Sequence, residues 1–418
     1  MTAPVFSTLG LSEALLRVLQ AENYTRPTPI QARTIPLILQ GRDVLGIAQT
    51  GTGKTAAFGL PLLQRLAAAR KPPEPKTARA LILAPTRELA LQIGDSLKTY
   101  GRPYGFRLAV VLGGVSQHTQ VNATRPGVDI LVATPGRLLD LVAQKHIRFD
   151  RVSMLVVDEA DRMLDMGFIR DVRRIVQALP RARQSLLFSA TMPQDVAHLA
   201  HDMLKDPVRI DVAPPTLTAD RIEQKLFHVD AQHKRKLLVD LLHDPKLARV
   251  IVFTRTKHGA NKVVEYLAKN GIAADAIHGN KSQNARVRAM ENFRSGRARL
   301  LVATDIAARG IDVDGITHVV NYELPSDPES YVHRIGRTAR AGAEGVAISF
   351  CAPDERAFLS DIEKLVKRKL AVVGEEPASV AHGKPPAQVR DYAKKTPFHR
   401  RKRNRPRGGE HGNGRRAA

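Results

Sequence analysis

Residues 48–55 read AQTGTGKT and follow the short apolar segment 43–47. Glycines at positions 51 and 53 let the backbone turn so that its N–H groups converge, and the lysine can reach the outer phosphates of a nucleotide. The segment that follows predicts a buried helix with its positive end beneath those phosphates, kinked at Pro61. A glycine-rich turn with a chance lysine is the alternative. The order of strand, loop and helix favours a phosphate-binding loop.

Length and composition predict a two-domain protein without a membrane span. The chain has 418 residues, 43% of them hydrophobic, and Cys351 is its only cysteine. This number of residues exceeds one ordinary core, and no apolar run of about 18 residues is present. A single cysteine excludes an internal disulfide and a cysteine-rich metal site. The first ten residues lack the pattern of a secretion signal, so we expect a cytoplasmic protein.

The charge of the chain indicates an anionic partner. Lys and Arg total 65 against 41 acids, a formal net charge of +24. Residues 394–418 alone carry ten Lys or Arg and one Glu. Nucleic acid is the simplest partner for such an excess, although blocks of like charge also occur as solvated arms.

The residues before the phosphate-binding loop predict a helix and an extended turn. Leucines at helical spacing between residues 6 and 20, with Ser12 as the N-cap, indicate a short amphipathic helix. In the stretch 23–31, the amide of Gln31 could read the N6 and N7 edge of adenine, and the ring of Tyr24 could stack. Taken alone, this stretch favours a structural turn.

Apolar segments of strand length recur after the loop and alternate with helical stretches, at 80–83, 108–112, 130–133, 154–157 and 185–188. Such alternation is typical of a parallel β/α architecture, whose ligands bind at the carboxyl ends of the strands. Polar or basic segments follow three of these strands, at 85–88, 134–137 and 189–191. The first half therefore predicts one nucleotide-binding α/β domain.

Two acids follow the strand 154–157. In a phosphate-loop enzyme, an acid at the position of Asp158 positions Mg²⁺, and a neighbour such as Glu159 orients or deprotonates the attacking water. The alternative is a solvated acidic turn. The phosphate-binding loop upstream favours the catalytic interpretation.

The second half predicts another α/β domain after a proline-bearing linker. Strand-length apolar segments lie at 250–254, 273–277, 300–303, 318–321 and 346–350, and none is followed by Gly-Lys-Thr. This half therefore cannot bind a nucleotide by itself. Arg337 and Arg340 are three residues apart, on one face if helical. They could act as arginine fingers, worth roughly 10³ to 10⁵ in rate elsewhere, or grip RNA phosphates.

Together these motifs resemble the DEAD-box ATP-dependent RNA helicases of superfamily two, most closely the bacterial RhlE-type branch. The resemblance covers roughly residues 6–370. It is carried by segments at 31, 48–55, 85–89, 113–114, 134–137, 158–161, 189–191, 252–255, 283–286, 303–312 and 333–340. It implies two tandem RecA-like parallel-sheet domains at 1–212 and 221–370, a linker at 213–220 and a disordered basic tail at 371–418.

The resemblance also implies roles for single residues. The catalytic residues would be Lys54, Asp158, Glu159, Arg337 and Arg340. ATP would contact Tyr24, Arg26, Gln31, Thr50, Gly51, Thr52, Gly53, Lys54, Thr55 and Asp312, and Mg²⁺ would be held by Thr55 and Asp158. RNA would contact Pro85, Arg87, Gly114, Thr134, Gly136, Arg137, Arg255, Gly279, Gln283, Arg286, Thr304 and Arg309. Coupling between the domains would pass through Asp161, Ser189 and Thr191.

Two positions depart from the family pattern. Ala339 and Asn23 stand where the family usually has glycine, and a side chain there restricts the backbone. We expect activity to survive both.

The implied activity is RNA-stimulated ATP hydrolysis with local separation of short RNA duplexes or remodelling of RNA–protein complexes. The expected partner is single-stranded or short-duplex RNA, with ribosome-assembly or RNA-decay proteins as candidates and no membrane. Two alternatives are an RNA clamp or chaperone with slow ATP turnover and an ATPase that acts on DNA.

Overall fold

The first half of the chain folds into alternating strands and helices. The computed structural model describes residues 4–49, 51–69, 71–212, 222–308, 313, 315–339 and 344–374. A 3₁₀ turn at Phe6–Leu9 opens the fold. The helices and strands that follow are α1 Glu13–Ala21, α2 Pro29–Leu39, β1 Val44–Ile47, α3 Lys54–Ala69, β2 Ala78–Leu83, α4 Arg87–Tyr100, β3 Leu108–Val111, α5 Gln117–Thr124, β4 Val128–Ala133, α6 Pro135–Ala143, β5 Met154–Val157, α7 Ala160–Asp165, α8 Ile169–Ala178, β6 Gln184–Ser189, α9 Gln194–Met203 and β7 Val208–Asp211.

The second half repeats this alternation. Its elements are β8 Ile222–His228, α10 Lys234–Leu242, β9 Val250–Thr254, α11 Lys257–Lys269, β10 Asp275–Ile277, α12 Gln283–Arg294, β11 Leu300–Thr304, α13 Asp305–Ala308, β12 His318–Asn321, α14 Pro328–Ile335, β13 Gly345–Cys351, α15 Arg356–Val366 and β14 Ala371–Val372. None of the helices in the described ranges is long and apolar enough to cross a membrane.

Each half contains one seven-stranded sheet in which all neighbouring strands are parallel. The strand orders are β3-β4-β2-β5-β6-β1-β7 and β10-β11-β9-β12-β13-β8-β14. Helices cover both faces: Ala80 and Ile82 of β2 pack into one apolar cluster, and Leu81 and Leu83 into another. Burial on both faces explains why the central strands are continuous apolar runs. The predicted fold class, two tandem parallel α/β domains, is confirmed.

The predicted elements agree with the structure except at the sheet margins. All eleven predicted strands are present, including the one before the phosphate-binding loop, and Ser12 caps α1 by accepting from the backbone N of Leu15 at 3.5 Å. Strands β7, β8 and β14 were not predicted, and β14 lies in the stretch assigned to the tail. The predicted linker 213–220 and residues 375–418 of the tail lie outside the described residues, so the domain boundaries remain a prediction.

The two sheets place one lysine each at the same topological position. Strand β1 lies second from the edge, between β6 and β7, and α3 after it begins at Lys54. Strand β8 lies second from the edge, between β13 and β14, and α10 after it begins at Lys234. The Nζ of Lys234 donates to the Tyr322 carbonyl at 3.0 Å and forms a buried ion pair with Glu355. The lysine of the second domain is therefore neutralised by a carboxylate of its own domain, whereas the Nζ of Lys54 donates to a backbone carbonyl.

Candidate functional site

The loop between β1 and α3 curls around the side chain of Lys54. Gly51 and Gly53 have φ angles of 81° and 85°, in the left-handed region that glycine adopts without strain. The Nζ of Lys54 is buried and donates to the carbonyl of Ala48 at 3.0 Å. The lysine is thus held inside the loop at the N-terminus of α3, where backbone N–H groups and the helix dipole favour an anion. Thr50, assigned to this site, lies outside the described residues.

Gln31 connects α2 to the phosphate-binding loop. Its Oε1 accepts from the backbone N of Thr28 at 2.9 Å, and its Nε2 donates to the carbonyl of Gly53 at 3.1 Å. A Cβ atom on Gly53 would lie 2.4 Å from this Nε2, so glycine is required there for packing as well as for its φ angle. The amide thereby fixes the loop from beside it, and the adenine contact of Gln31 remains a prediction.

Tyr24 lies in an aromatic cluster with Phe6 and Tyr100. It is half-buried, and its hydroxyl is 2.8 Å from that of Tyr100 at the end of α4. Its ring makes edge contacts with Phe6 and Tyr100, at centroid distances of 6.3 and 6.1 Å. Arg26 is exposed, and Asp312, the predicted ribose contact, lies outside the described residues.

Asp158 and Glu159 are buried at the carboxyl end of β5. The Oδ1 of Asp158 accepts from the backbone N of Glu159 at 2.9 Å. Burial raises the pKa of Asp158 to about 6, the charge of Lys54 opposes this rise, and the charge of Glu159 adds to it. The desolvated carboxylate of Asp158 and the hydroxyl of Thr55, in the first turn of α3, are oxygen donors of the kind that Mg²⁺ prefers. These residues therefore fit the predicted metal site.

The carboxylate of Glu159 is held by Arg162, one turn along α7. The two side chains form a buried ion pair, and Glu159 has a φ angle of 55°. Burial acts to raise the pKa of Glu159, but the charges of Arg162 and Lys54 outweigh it and hold this pKa below its ordinary value. Arg337 of the second domain contributes in the same direction. Glu159 is therefore ionised, as an acceptor for a water proton must be.

Arg337 is buried in a turn and donates from Nε to the His333 carbonyl at 3.2 Å. Helix α14 ends at Ile335, so Arg337 lies beyond the helix. The two predicted arginine fingers were expected on one face only if their segment is helical. That condition is wrong at Arg337, because the backbone leaves the helix at Gly336. Arg340 itself lies outside the described residues.

Asp161 joins the end of β5 to the end of β6. Its Oδ2 accepts from the backbone N of Ala190 at 3.1 Å and from the N and Oγ1 of Thr191 at 2.9 and 3.2 Å. Its own backbone N donates to the Oγ of Ser189 at 3.1 Å. The three residues assigned to coupling thus form one hydrogen-bonded network beside the acidic pair.

The RNA contacts predicted in the first domain lie at the carboxyl ends of its strands. The guanidinium of Arg87 lies against Gly114, where a Cβ atom would be 2.1 Å from its Nη1. Arg137 donates to the Val115 carbonyl at 3.2 Å. Pro85 and Thr134 are buried, and Gly136 has open space around it. The accessible members of the set are small or basic, as contacts with an RNA backbone require: Arg87, Gly114, Gly136 and Arg137.

The RNA contacts predicted in the second domain are less uniform. Gln283 and Arg286 on α12 and Thr304 at the end of β11 are buried, whereas Gly279 is exposed. The guanidinium of Arg255 lies 3.3 Å from Glu355 and over the ring of Phe358, so it is already engaged within the domain. Arg309 lies outside the described residues.

The two predicted RNA surfaces meet. The Nη2 of Arg286 lies 2.8 Å from the Oε2 of Glu88, and the Nη1 of Arg87 donates to the Oε1 of Gln283 at 3.4 Å. These contacts join the N-terminus of α4 to that of α12. The residues predicted to bind RNA from opposite sides are therefore adjacent across the two sheets.

Sequence reasoning missed four residues that organise the site. Arg162 could have been found, because it stands three residues after Glu159 on one helix. Arg334, bound to Asp305 through Nε at 2.6 Å and Nη2 at 2.7 Å, lies within a quoted motif but was given no role. Glu88 and Tyr100 act through partners distant in sequence, and no local pattern reveals such pairs.

Two family descriptions match this chain. Residues 28–199 match the DEAD/DEAH box helicases, and residues 233–342 match the helicase conserved C-terminal domain. The chain is 44% identical over 375 residues to the DEAD-box ATP-dependent RNA helicase CshA of Streptococcus pneumoniae, which covers 90% of this chain and 70% of that protein.

Solved structures are similar over most of the chain. S. cerevisiae Dbp5 bound to RNA and ADP BeF3 gives a TM-score of 0.80 at 33% identity, covering 89% of this chain and 96% of Dbp5. A Dbp5 variant bound to Nup159, Gle1, IP6 and ADP gives 0.60 at 32% identity, covering 87% and 95%.

Proposed function

Since this chain belongs to the DEAD-box ATP-dependent RNA helicases, we propose that it hydrolyses ATP at the carboxyl edge of its first sheet when RNA closes the two domains. The observation that carries this proposal is the position of Glu159. Its carboxylate is ionised, buried and paired with Arg162, and it feels the charge of Lys54 in its own domain and of Arg337 in the other. The charge of Arg337 reaches Glu159 only while the two domains are together.

The phosphate-binding loop supplies the nucleotide site. Gly51, Gly53 and the N-terminus of α3 offer backbone N–H groups to the phosphates, and Lys54 offers its charge. Thr55 and Asp158 would hold Mg²⁺, which neutralises developing charge on the phosphate oxygens. Glu159 orients the attacking water and accepts its proton. Tyr24, Arg26 and Gln31 are proposed to hold adenine.

RNA is proposed to bind across both domains through its backbone. Arg87, Gly114 and Arg137 would contact it on one side, and Gln283, Arg286 and the other predicted residues of the second domain on the other. Contacts of this kind carry no base identity. Asp161, through Ser189 and Thr191, would transmit the closed state to the acidic pair.

The work performed on RNA is proposed to be local. Base stacking is worth about 1.4 kcal/mol per step in DNA, so one closure can distort a few steps but cannot open a long duplex. We propose cytoplasmic action on short duplexes or RNA–protein complexes, with ribosome-assembly or RNA-decay proteins as partners. The finer assignment to the RhlE-type branch rests on the compact core and short basic C-terminal segment, whereas the relative reported above carries the name CshA.

The test is the steady-state ATPase rate without polymer, with single-stranded RNA and with DNA of the same sequence, using Lys54→Ala as the blank. Stimulation by RNA alone supports the proposal. Equal stimulation by DNA would overturn the choice of polymer. A Glu159→Gln variant that still separates duplexes would instead support the RNA clamp.

A further inference from the structure

The edge of the first sheet opposite the nucleotide site is one continuous surface. Because all its strands are parallel, the segments that lead into them lie together at the amino edge. The backbone N of Lys76 donates to the Arg125 carbonyl at 3.1 Å, and that of Arg148 donates to the Lys76 carbonyl at 2.8 Å. Arg107 donates from Nη1 to the Pro126 carbonyl at 3.3 Å. The segments before β2, β3, β4 and β5 are thus joined.

This surface carries six exposed cations, which we call the basic edge. The segments 74–77, 105–107, 125–127 and 145–152 contain six Lys or Arg and two acids, a net charge of +4. All six cations are exposed to solvent, and none belongs to a helicase motif. They are Lys76, Arg107, Arg125, Lys145, Arg148 and Arg151.

The two acids neutralise only part of the basic edge. Arg151 lies 2.9 Å from Glu74, and Arg148 lies 3.6 Å from Asp150. Among the residues that the structure describes, no carboxylate forms an ion pair with any of the other four cations. Four positive charges therefore face solvent on one side of the domain.

The backbone of the basic edge is closely packed and strained. A Cβ atom on Gly127 would lie 2.0 Å from the carbonyl oxygen of Glu74, so the two segments touch backbone to backbone. Lys76 and Lys145 have φ angles of 60° and 59°. A side chain in this region costs about 1–2 kcal/mol, which glycine avoids. Lysines thus occupy two positions where glycine would be less strained, and this favours a use for their charge.

We infer that the basic edge is a second RNA-contact surface, which binds the phosphate backbone of RNA that extends beyond the site between the sheets. This inference rests on the proposed RNA function. The strands that separate the two edges have four to six residues, or about 13–20 Å at the usual rise. A duplex or single-stranded arm that leaves the site can reach across this distance. RNA with such an arm should bind more tightly than RNA that fills the site alone.

The test compares two RNAs and two triple variants. The probes are a short uridine oligonucleotide and the same oligonucleotide with a double-stranded extension. One variant carries Lys76→Gln, Arg125→Gln and Lys145→Gln. The control carries Lys246→Gln, Lys262→Gln and Lys269→Gln, which remove three exposed charges from the second domain. Glutamine is polar and uncharged, the substituted side chains are exposed, and the strain at Lys76 and Lys145 is unchanged, so both variants should fold.

The first variant should bind the extended RNA about tenfold more weakly. The negative slope of log K against log salt should become shallower by about 2. Its affinity for the short oligonucleotide, and the ATPase rate that this RNA stimulates, should remain those of the parent. The control should match the parent on both RNAs. Equal losses on the two RNAs, or an unchanged affinity and slope, would overturn the inference, and the unchanged case would indicate an acidic protein partner. Loss of stimulation by the short RNA in the parent would count against the proposed function instead.

Discussion

Glu88 of α4 and Arg286 of α12 form an ion pair between the two sheets, with 2.8 Å between Oε2 and Nη2. Their side chains are 7% and 9% exposed, so water provides little screening. The geometry is that of an ion pair rather than a well-directed hydrogen bond. Because the partners belong to different domains, the pair exists only while the domains are together. Arg286 is also a predicted RNA contact, so the pair joins closure to RNA binding.

We expect Glu88→Gln to lower RNA-stimulated ATP hydrolysis at least tenfold while ATP binding is retained. Removing one partner of a buried ion pair typically costs about 3–5 kcal/mol, because the other charge remains buried. A double-mutant cycle with Arg286→Gln should give a coupling energy of about 1–3 kcal/mol. Additive losses in the cycle would show that the two residues act separately.

Gly114→Ala should displace Arg87 and weaken RNA binding. The new Cβ would lie 2.1 Å from the Nη1 of Arg87, and the φ angle of 76° adds backbone strain. Gly105→Ala is the matched control, since its φ angle is 64° but no atom lies within 4 Å of the new Cβ. RNA affinity in the presence of a non-hydrolysable ATP analogue should fall for the first variant only. Similar losses for both would assign the effect to backbone strain.

Tyr100→Phe should raise the KM for ATP without changing kcat. The change removes the hydroxyl that holds Tyr24 but keeps the ring contact, and a hydrogen bond is worth about 0.5–1.5 kcal/mol, or roughly 2- to 10-fold in KM. Burial raises the pKa of Tyr100, so its hydroxyl stays protonated. Tyr104→Phe, which loses a hydrogen bond to Ser12 instead, serves as the control. A fall in kcat, or the same KM as the control, would contradict a role in positioning Tyr24 for adenine.

Asp158→Asn should stabilise the protein without nucleotide and Mg²⁺ at neutral pH. The pKa of Asp158 rises from 3.8 to about 6 on folding, so folding favours the protonated acid. This extra stability is complete below pH 3.8 and is lost as the pH rises through about 6. The shift corresponds to about 3 kcal/mol against the ionised form above that pH. In thermal unfolding from pH 4 to pH 8, the stability of the variant relative to that of the parent should increase up to about pH 6. A constant difference across the range would refute the shift.

The central strands could be predicted from sequence because burial on both faces makes them apolar throughout. Met154–Val157 and Val250–Thr254 were predicted with the bounds that they have. The marginal strands escaped because one face or both is exposed: in β8, buried and exposed residues alternate, and both residues of β14 are exposed. Propensity in such segments is weak, and pairing with a neighbouring strand decides the structure.

The site could be predicted as far as residues linked by short motifs. The phosphate-binding loop, Asp158, Glu159 and the Asp161 network lie where the sequence predicted. Partners that meet only through the fold could not be predicted, such as Tyr100 with Tyr24 or Glu88 with Arg286. The departures at Asn23 and Ala339 have a structural counterpart, since their φ angles are 61° and 54°. Both residues adopt the left-handed backbone that a glycine would take, so the expected restriction is real but is accommodated.

The ion pair between Lys234 and Glu355 is consistent with one nucleotide site per chain. The second sheet has the same strand order as the first, but the amine that would meet a phosphate is already neutralised within the domain. We therefore expect each chain to hydrolyse one ATP per cycle. A helicase that translocates along a nucleic acid needs one ATP-driven unit to stay bound while another moves forward. The described residues of this chain form a single such unit. We expect the protein to dissociate from RNA after every cycle. The yield of separated strands then depends on how fast those strands reanneal.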